Sequence, residues 1–421
     1  MAVFNLLICT VGGSPEPLVK SLLEWRPARV LFVPSAQTRA QVDAVLRAYA
    51  EHTGAPLRPG EYEICPVSNA EGLEECLDVI RRYDQEVVRW TSRGSDYHVV
   101  ADFTAGTKCM TAALVLQARR WSCRYSYVGG ASRSKEGVGV VESGSERVVH
   151  WANPWEALGY QAVEDACLLF DQQAFLPAAR LLDAARKATD DGAVKRSLST
   201  FHQLCEGYGL WDRFQHKDAA QRIDSVLKNA ADIQVMLPTG FDGVIGAIKR
   251  NQETLRQLVC QSQSRAMVSD LLANAGRRKR EARYDDGVAR LYRAIEALAQ
   301  LALAERHGIQ GTDNVPLESV PEPLRERWGS RADAGKLWLG LQDAFELLDA
   351  LGDDIGKTFK ALELHDPRHS PLMARNQSIL AHGFQPVGEQ VFEKLWAAGI
   401  NLGGFAEQDL PTFPHLAKPG G

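Results

Sequence analysis

The sequence predicts a multidomain α/β plus α protein. A doubly wound parallel sheet comes first, then a helical middle region, then a C-terminal all-α domain. Three observations predict this. Short apolar runs alternate with amphipathic runs up to about residue 150, the strand pattern stops at Trp151, and helical periodicity then continues almost to the end of the chain. Strand–helix alternation implies parallel strands, because a parallel crossover needs a long connection that is most often a helix.

The expected strands are FNLLICT from Phe4, ARVLFVP from Ala28, YEICPVS from Tyr62, YHVVADF from Tyr97 and CRYSYVG from Cys123. They are short, apolar and rich in Val, Ile, Tyr and Phe, as strands buried on both faces are. Between them EPLVKSLLEW, TRAQVDAVLRAYAEH, GLEECLDVIRRYDQEVVRW and KCMTAALVLQARRW carry apolar residues at helical spacing. GVGVVE and ERVVHW, around Ser143-Gly144-Ser145, read as a hairpin that closes a Rossmann-like domain over residues 1–150.

A helical middle region over 151–275 is expected from NPWEALGYQAVEDACLLF, FLPAARLLDAARKA, VKRSLSTFHQLCEGYGLWDRF, AAQRIDSVLKNAADI and VIGAIKRNQETLRQLV. A last helical domain over 276–410 follows the basic run Arg277 to Arg280. That run reads as a solvated helix start or as a contact for RNA phosphates. The last domain holds YDDGVARLYRAIEALAQLALAERHG, KLWLGLQDAFELLDALG and ARNQSILAHG, and the proline-bearing tail after Glu407 reads as frayed.

Composition narrows the function. With 421 residues, 45% hydrophobic and 24% charged, the chain can bury more than one core. No apolar run reaches the ~18 residues of a membrane span. The opening MAVFNLLICT lacks a basic leader and reads as a strand. The eight cysteines form no CxxC pair or Cys/His cluster, so they read as reduced core residues of a cytoplasmic protein, and no metal site is expected. A net charge of −5 argues against a histone-like coat for nucleic acid, although a local basic patch still serves phosphates.

A doubly wound sheet binds ligands beyond the carboxyl ends of its strands. Two loops there carry suggestive chemistry. The first strand runs into Thr10-Val11-Gly12-Gly13-Ser14, and the fourth into Asp102-Phe103-Thr104-Ala105-Gly106-Thr107-Lys108. Both bear glycine and hydroxyls and both open a helix, whose first N–H groups and dipole favour an anion. Lys108 adds a full positive charge. Neither loop fits GxxxxGK[ST] or GxGxxG, so a Walker ATPase and a dinucleotide dehydrogenase both lose support. Each glycine loop alone is explained by a tight strand-to-helix turn; the two together, with a lysine, favour a phosphate-bearing ligand.

In ARNQSILAHG, Arg375 and His382 stand seven apart. On a continuous helix of about 100° per residue they share a face, roughly 10 Å apart along the axis. Such a pair can cleave RNA without metal: histidine exchanges protons with the 2′-hydroxyl or the leaving oxygen, and arginine stabilises charge on the phosphorane. On spacing alone the ordinary amphipathic helix is the better reading, because an arginine and a histidine seven apart occur by chance in many helices.

The chain as a whole resembles the CRISPR-associated CARF–HEPN ribonucleases of type III CRISPR systems. ICTVGGSPEPL follows the first strand. DFTAGTKCM resembles the D-x-T-G-G-T-K-x-M loop of CARF domains, departing from it at Ala105, and RNQSILAHG matches the R-N-x-x-x-x-x-H signature of HEPN nucleases. The resemblance implies a CARF domain that binds a cyclic oligoadenylate activator of unspecified ring size. It implies a HEPN domain that cuts single-stranded RNA without a metal or other cofactor, leaving 2′,3′-cyclic phosphate ends. It also implies a homodimer, because two HEPN domains face each other across a composite site. Carried over by matching position, Arg375 and His382 are catalytic and Asn376 orients them. Thr10, Gly12, Gly13, Ser14, Thr104, Gly106, Thr107 and Lys108 line the ligand pocket.

Two other classes stay open. One is a ligand-binding regulator whose helical domain only dimerises, although no winged-helix motif is evident. The other is a ring nuclease that degrades the activator in its own pocket. There Thr10 and Ser14 would align a 2′-hydroxyl, but no general base is evident.

Overall fold

A computed structural model describes residues 3–130, 145–234, 236–237, 241–261, 263–365, 370–376, 378, 380 and 383–416. The chain divides into two compact units, Met1–Ala162 with Ala185–Val194, and Val163–Ala184 with Lys195–Gly421.

The first unit is built on a sheet of six strands: β1 (Phe4–Val11), β2 (Arg29–Pro34), β3 (Tyr62–Ile64), β4 (Tyr97–Asp102), β5 (Arg124–Gly130) and β6 (Glu146–Ala152). Their order is β3-β2-β1-β4-β5-β6. The first five run parallel, Leu6 lying level with Arg29 on one side and Val99 on the other, and β6 is antiparallel to β5 with His150 opposite Ser126. ERVVHW therefore pairs with β5, and its expected partner GVGVVE lies outside the described residues.

Helices α1 (Glu16–Trp25), α2 (Arg39–Thr53), α3 (Leu73–Arg81), α4 (Asp84–Thr91) and α5 (Lys108–Ala118) cover the sheet. The two-residue period of a strand explains why β1 is apolar throughout. Leu7, Cys9 and Val11 join Leu18, Leu22, Val42 and Val45 of α1 and α2 in one core. Leu6 and Ile8 join Val79, Ile80, Val87, Ala113 and Leu114 of α3, α4 and α5 in the other. The single helix expected over 72–90 is thus two, α3 and α4. They part at Arg82 and Tyr83, which leaves both the Cys76/Val79/Ile80 face and the Val87/Trp90 face against the sheet.

The remaining helices are α6 (Pro154–Ala157), α7 (Tyr160–Asp171), α8 (Phe175–Ala188), α9 (Gly192–Asp212), α10 (His216–Lys228), α11 (Ala230–Gln234), α12 (Phe241–Cys260), α13 (Arg265–Arg280), α14 (Tyr284–His307), α15 (Leu324–Trp328), α16 (Leu341–Ala350), α17 (Asp354–Ala361), α18 (Pro371–Asn376) and α19 (Glu389–Gly403). Two short strands, β7 (Val315–Pro316) and β8 (Lys336–Leu337), form a second sheet. A core from Val268 to Leu410 joins α13, α14, α16, α17 and α19 in the second unit. Where a helix was expected from Lys336, the chain first pairs as β8, and the helix opens only after Gly340. No helix among the described residues is long and apolar enough to cross a membrane.

Three further expectations change. Arg277 to Arg280 form the last turn of α13, not a helix start, and the first two are buried. Arg277 Nε donates to Asp212 Oδ1 at 2.8 Å and Arg278 Nη2 to Oδ2 at 2.6 Å, while Lys279 pairs with Glu393 at 2.5 Å. An arginine whose charge is matched inside the fold cannot reach a phosphate. The tail is packed through Leu416: Phe413 lies against the rings of Phe175, Tyr208 and Trp211, and Leu416 N–H donates to Asp171 at 2.8 Å. Its prolines forbid a helix, but an aromatic side chain still finds a core. Of the eight cysteines, Cys260 is exposed and so is not a core residue.

Candidate ligand pocket and candidate active site

The strand order reverses between β1 and β4, and such a switch point opens a crevice beyond the carboxyl ends of the strands. Thr10 to Ser14 leave β1 there and Phe103 to Lys108 leave β4. The two loops touch. Thr10 Oγ1 donates to the carbonyl of Ala105, and a Cβ on Gly12 would come within 3.0 Å of the Gly106 nitrogen and 3.2 Å of the Ala105 Cβ. Gly106 has a φ of +99°, and a Cβ there would meet Thr10 Cβ at 3.1 Å, so conformation and space both call for glycine. Ala105 turns its Cβ toward Gly12 at this crossing.

All eight residues expected to line a pocket gather at this edge, in two roles. The three threonines hold the rim together. Besides Thr10, Thr104 Oγ1 accepts from Val128 N–H at 2.8 Å, and Thr107 caps α5 by accepting from Met110 N–H at 3.3 Å while donating to the carbonyl of Ala70. Gly13, Ser14, Gly106 and Lys108 are exposed. The open surface is therefore glycine backbone, one hydroxyl, one ammonium and the start of α5, a combination suited to an anion.

The β4 loop rests on Asp102, which is fully buried. Ser21 Oγ and Ser126 Oγ donate to its Oδ2 at 2.6 and 2.8 Å, and Thr104 N–H donates to Oδ1 at 3.0 Å. Burial raises its pKa, and these donors pull the other way. Trp25 Nε1 donates in turn to Ser126 Oγ at 3.0 Å. Sequence reading missed Ser21, Trp25 and Ser126 because nothing local marks them. The one readable sign was an aspartate ending an apolar strand.

In the second unit, Arg375 stands near the end of α18, its guanidinium carbon 4.7 Å from the centre of the Tyr292 ring on α14. Its Nη1 donates to Asn376 Oδ1 at 3.2 Å. Among the described residues, ARNQSILAHG is helical only over its first three, Ala374 to Asn376. α18 ends at Asn376, Ser378 makes an isolated bridge to Gln385, and Leu380 lies in a turn. Ser378 explains the stop, because its N–H and its Oγ both donate to the Arg375 carbonyl, at 3.1 and 2.8 Å, closing a turn in place of the helical ladder. His382, with Gln377, Ile379 and Ala381, lies outside the described residues. Among the described residues no group of three or more His, Cys, Asp or Glu could hold a metal ion.

Residues 256–402 match the family model described as the Csm6 HEPN domain, and Arg375, Asn376 and His382 all fall within that span. Among solved structures, the chain is matched with Enterococcus italicus Csm6 bound to cyclic hexa-2′-fluoro-hexa-dAMP, at 11% identity over 97% of both chains and a TM-score of 0.46. It is also matched with Can2 from Sulfobacillus thermosulfidooxidans in complex with cyclic tetra-adenylate, at 12% identity over 50% of this chain and 52% of that one, with a TM-score of 0.25. No curated protein matches the chain.

Proposed function

Since the chain joins a Csm6-type HEPN domain to a Rossmann-like sheet, the architecture of the CRISPR-associated CARF–HEPN ribonucleases, we propose that it is an endoribonuclease switched on by a cyclic oligoadenylate. The match over 256–402, with Arg375 and His382 inside it, carries this reading. In the proposal, residues 1–150 bind the activator, 151–275 connect, and 276–410 cut single-stranded RNA as a homodimer.

Arg375 stabilises negative charge on the phosphorane, and Asn376 holds the guanidinium through their hydrogen bond. His382 passes protons between the 2′-hydroxyl and the leaving oxygen. The 2′-oxygen attacks phosphorus, the bond to the 5′-oxygen breaks, and the products are a 2′,3′-cyclic phosphate and a 5′-hydroxyl. At the other end, the exposed Lys108 and the α5 N-terminus receive a phosphate of the activator.

Purified protein mixed with RNA, cyclic tetra- or hexa-adenylate, and EDTA tests the proposal. RNA lost only when an activator is present, with cyclic phosphate ends and no effect of EDTA, is the expected result. RNA left intact while the activator disappears would mean a ring nuclease, and both left intact a regulator.

A further inference from the structure

Several arginines of the second unit are held by carboxylates. Arg290 lies 3.5 Å from Asp286, Arg293 3.0 Å from Glu296, Arg306 2.7 Å from Asp353 and Arg331 2.5 Å from Asp343. Arg375 is held differently. Among the described residues it has no carboxylate within ion-pair distance and no side-chain hydrogen bond except to Asn376.

We propose that Tyr292 is the positioning residue for Arg375: its ring carries the guanidinium from below and presents it, undiminished in charge, to the RNA phosphate. The proposal rests on the assignment of Arg375 above. A carboxylate would orient an arginine too, but it would occupy the N–H donors and cancel the positive field that the phosphorane needs. An aromatic ring engages the flat face of the guanidinium instead. The N–H groups lie in the plane of the cation, so the edge stays free for phosphate oxygens.

Two features of Tyr292 suit this role. It sits on α14, a helix of 24 residues packed against α13 and α19 and half-buried against their core, whereas α18 has six residues and cannot fix a long side chain alone. Its hydroxyl also stays protonated, because burial raises its pKa and Glu296 adds to the rise, against the opposing pull of Arg375. The platform is therefore a neutral ring and not a phenolate that would pair with the cation.

The test keeps the side chain's shape and changes only the electrons on the ring face. Full-length Tyr292→Phe serves as the reference, and phenylalanines bearing one, two or three ring fluorines replace it in turn. Activator-dependent RNA cleavage should fall stepwise, by about tenfold across the series, in kcat and not in KM, with the melting temperature unchanged. In an Arg375→Ala background, followed in single turnover, fluorination should change nothing further. A flat series with Arg375→Ala inactive would overturn the role of Tyr292 and leave Arg375 in place. An equal decline with and without Arg375 would also overturn it. Wild-type cleavage by Arg375→Ala would instead remove the reading on which the proposal rests.

Discussion

Arg277 and Arg278 stand in a basic run of the kind that meets RNA, while Arg375 stands alone in a short polar stretch; the fold reverses what that contrast suggests. The first two are buried and share Asp212, which also accepts from Asn274 at 2.9 Å through its backbone and 3.0 Å through its side chain. Arg277 further lies 4.1 Å over the ring of Phe413 from the tail. Among the described residues Arg375 has an aromatic ring and an amide and no carboxylate partner. Residue type is the same in both places. What differs is whether the fold brings a carboxylate, and Asp212 stands more than sixty positions from the arginines that use it. A matched charge holds the protein together, and an unmatched one is available to a ligand.

That contrast breaks first at Asp212. Asp212→Ala should leave two guanidinium groups buried without their counter-charge and cost about 3–5 kcal/mol, the usual scale for breaking a buried pair. Urea unfolding measures it, and a variant as stable as the parent would mean that the pair is not structural.

His382→Ala and Arg375→Ala should do the opposite, keeping the melting temperature while losing on the order of a hundredfold or more in activator-dependent RNA cleavage. An H382A protein that degrades RNA at the wild-type rate would falsify the assignment.

Lys108→Ala sharpens the comparison at the other end of the chain, since that ammonium is exposed and expected to pair only with ligand phosphate. Affinity for the cyclic oligoadenylate should weaken by about 1–3 kcal/mol. Calorimetry that finds no change would take Lys108 out of the pocket.

The smallest effect concerns Asp102, a buried carboxylate matched by hydroxyls and an N–H in place of a cation. Its folded pKa is raised, so the folded state holds the proton to a higher pH than the unfolded state does. Stability should therefore fall as pH rises from about 4, the unfolded value, through the folded pKa, and then level off. Comparing urea midpoints across pH for the parent and Asp102→Asn should show this slope in the parent alone.

Much of the first unit was legible. Strands expected from Phe4, Ala28, Tyr62, Tyr97 and Cys123 begin within a residue of those observed, because a strand buried on both faces is a short apolar run with polar ends. The glycines at 12 and 106 and the capping Thr107 were readable because close approach, positive φ and capping each demand few residue types. Helix boundaries were less so. Periodicity ran through Arg82 and Tyr83 without a break, and the ARNQSILAHG pattern did not reveal that Ser378 would take the Arg375 carbonyl.

The sequence by itself determined the order of strands and helices, the two glycine loops, the lysine that ends the second and the arginine–histidine signature, since each depends on neighbours a few positions away. Tertiary structure decided the rest. It buried Arg277 and Arg278 on Asp212, seated Phe413 of the proline-rich tail among Phe175, Tyr208 and Trp211, tied Asp102 to Ser21 and Ser126, and put Tyr292 under Arg375. The physical reason is common to all four: each rests on a contact between residues far apart in the chain, and no local period or motif encodes which distant side chain will supply it.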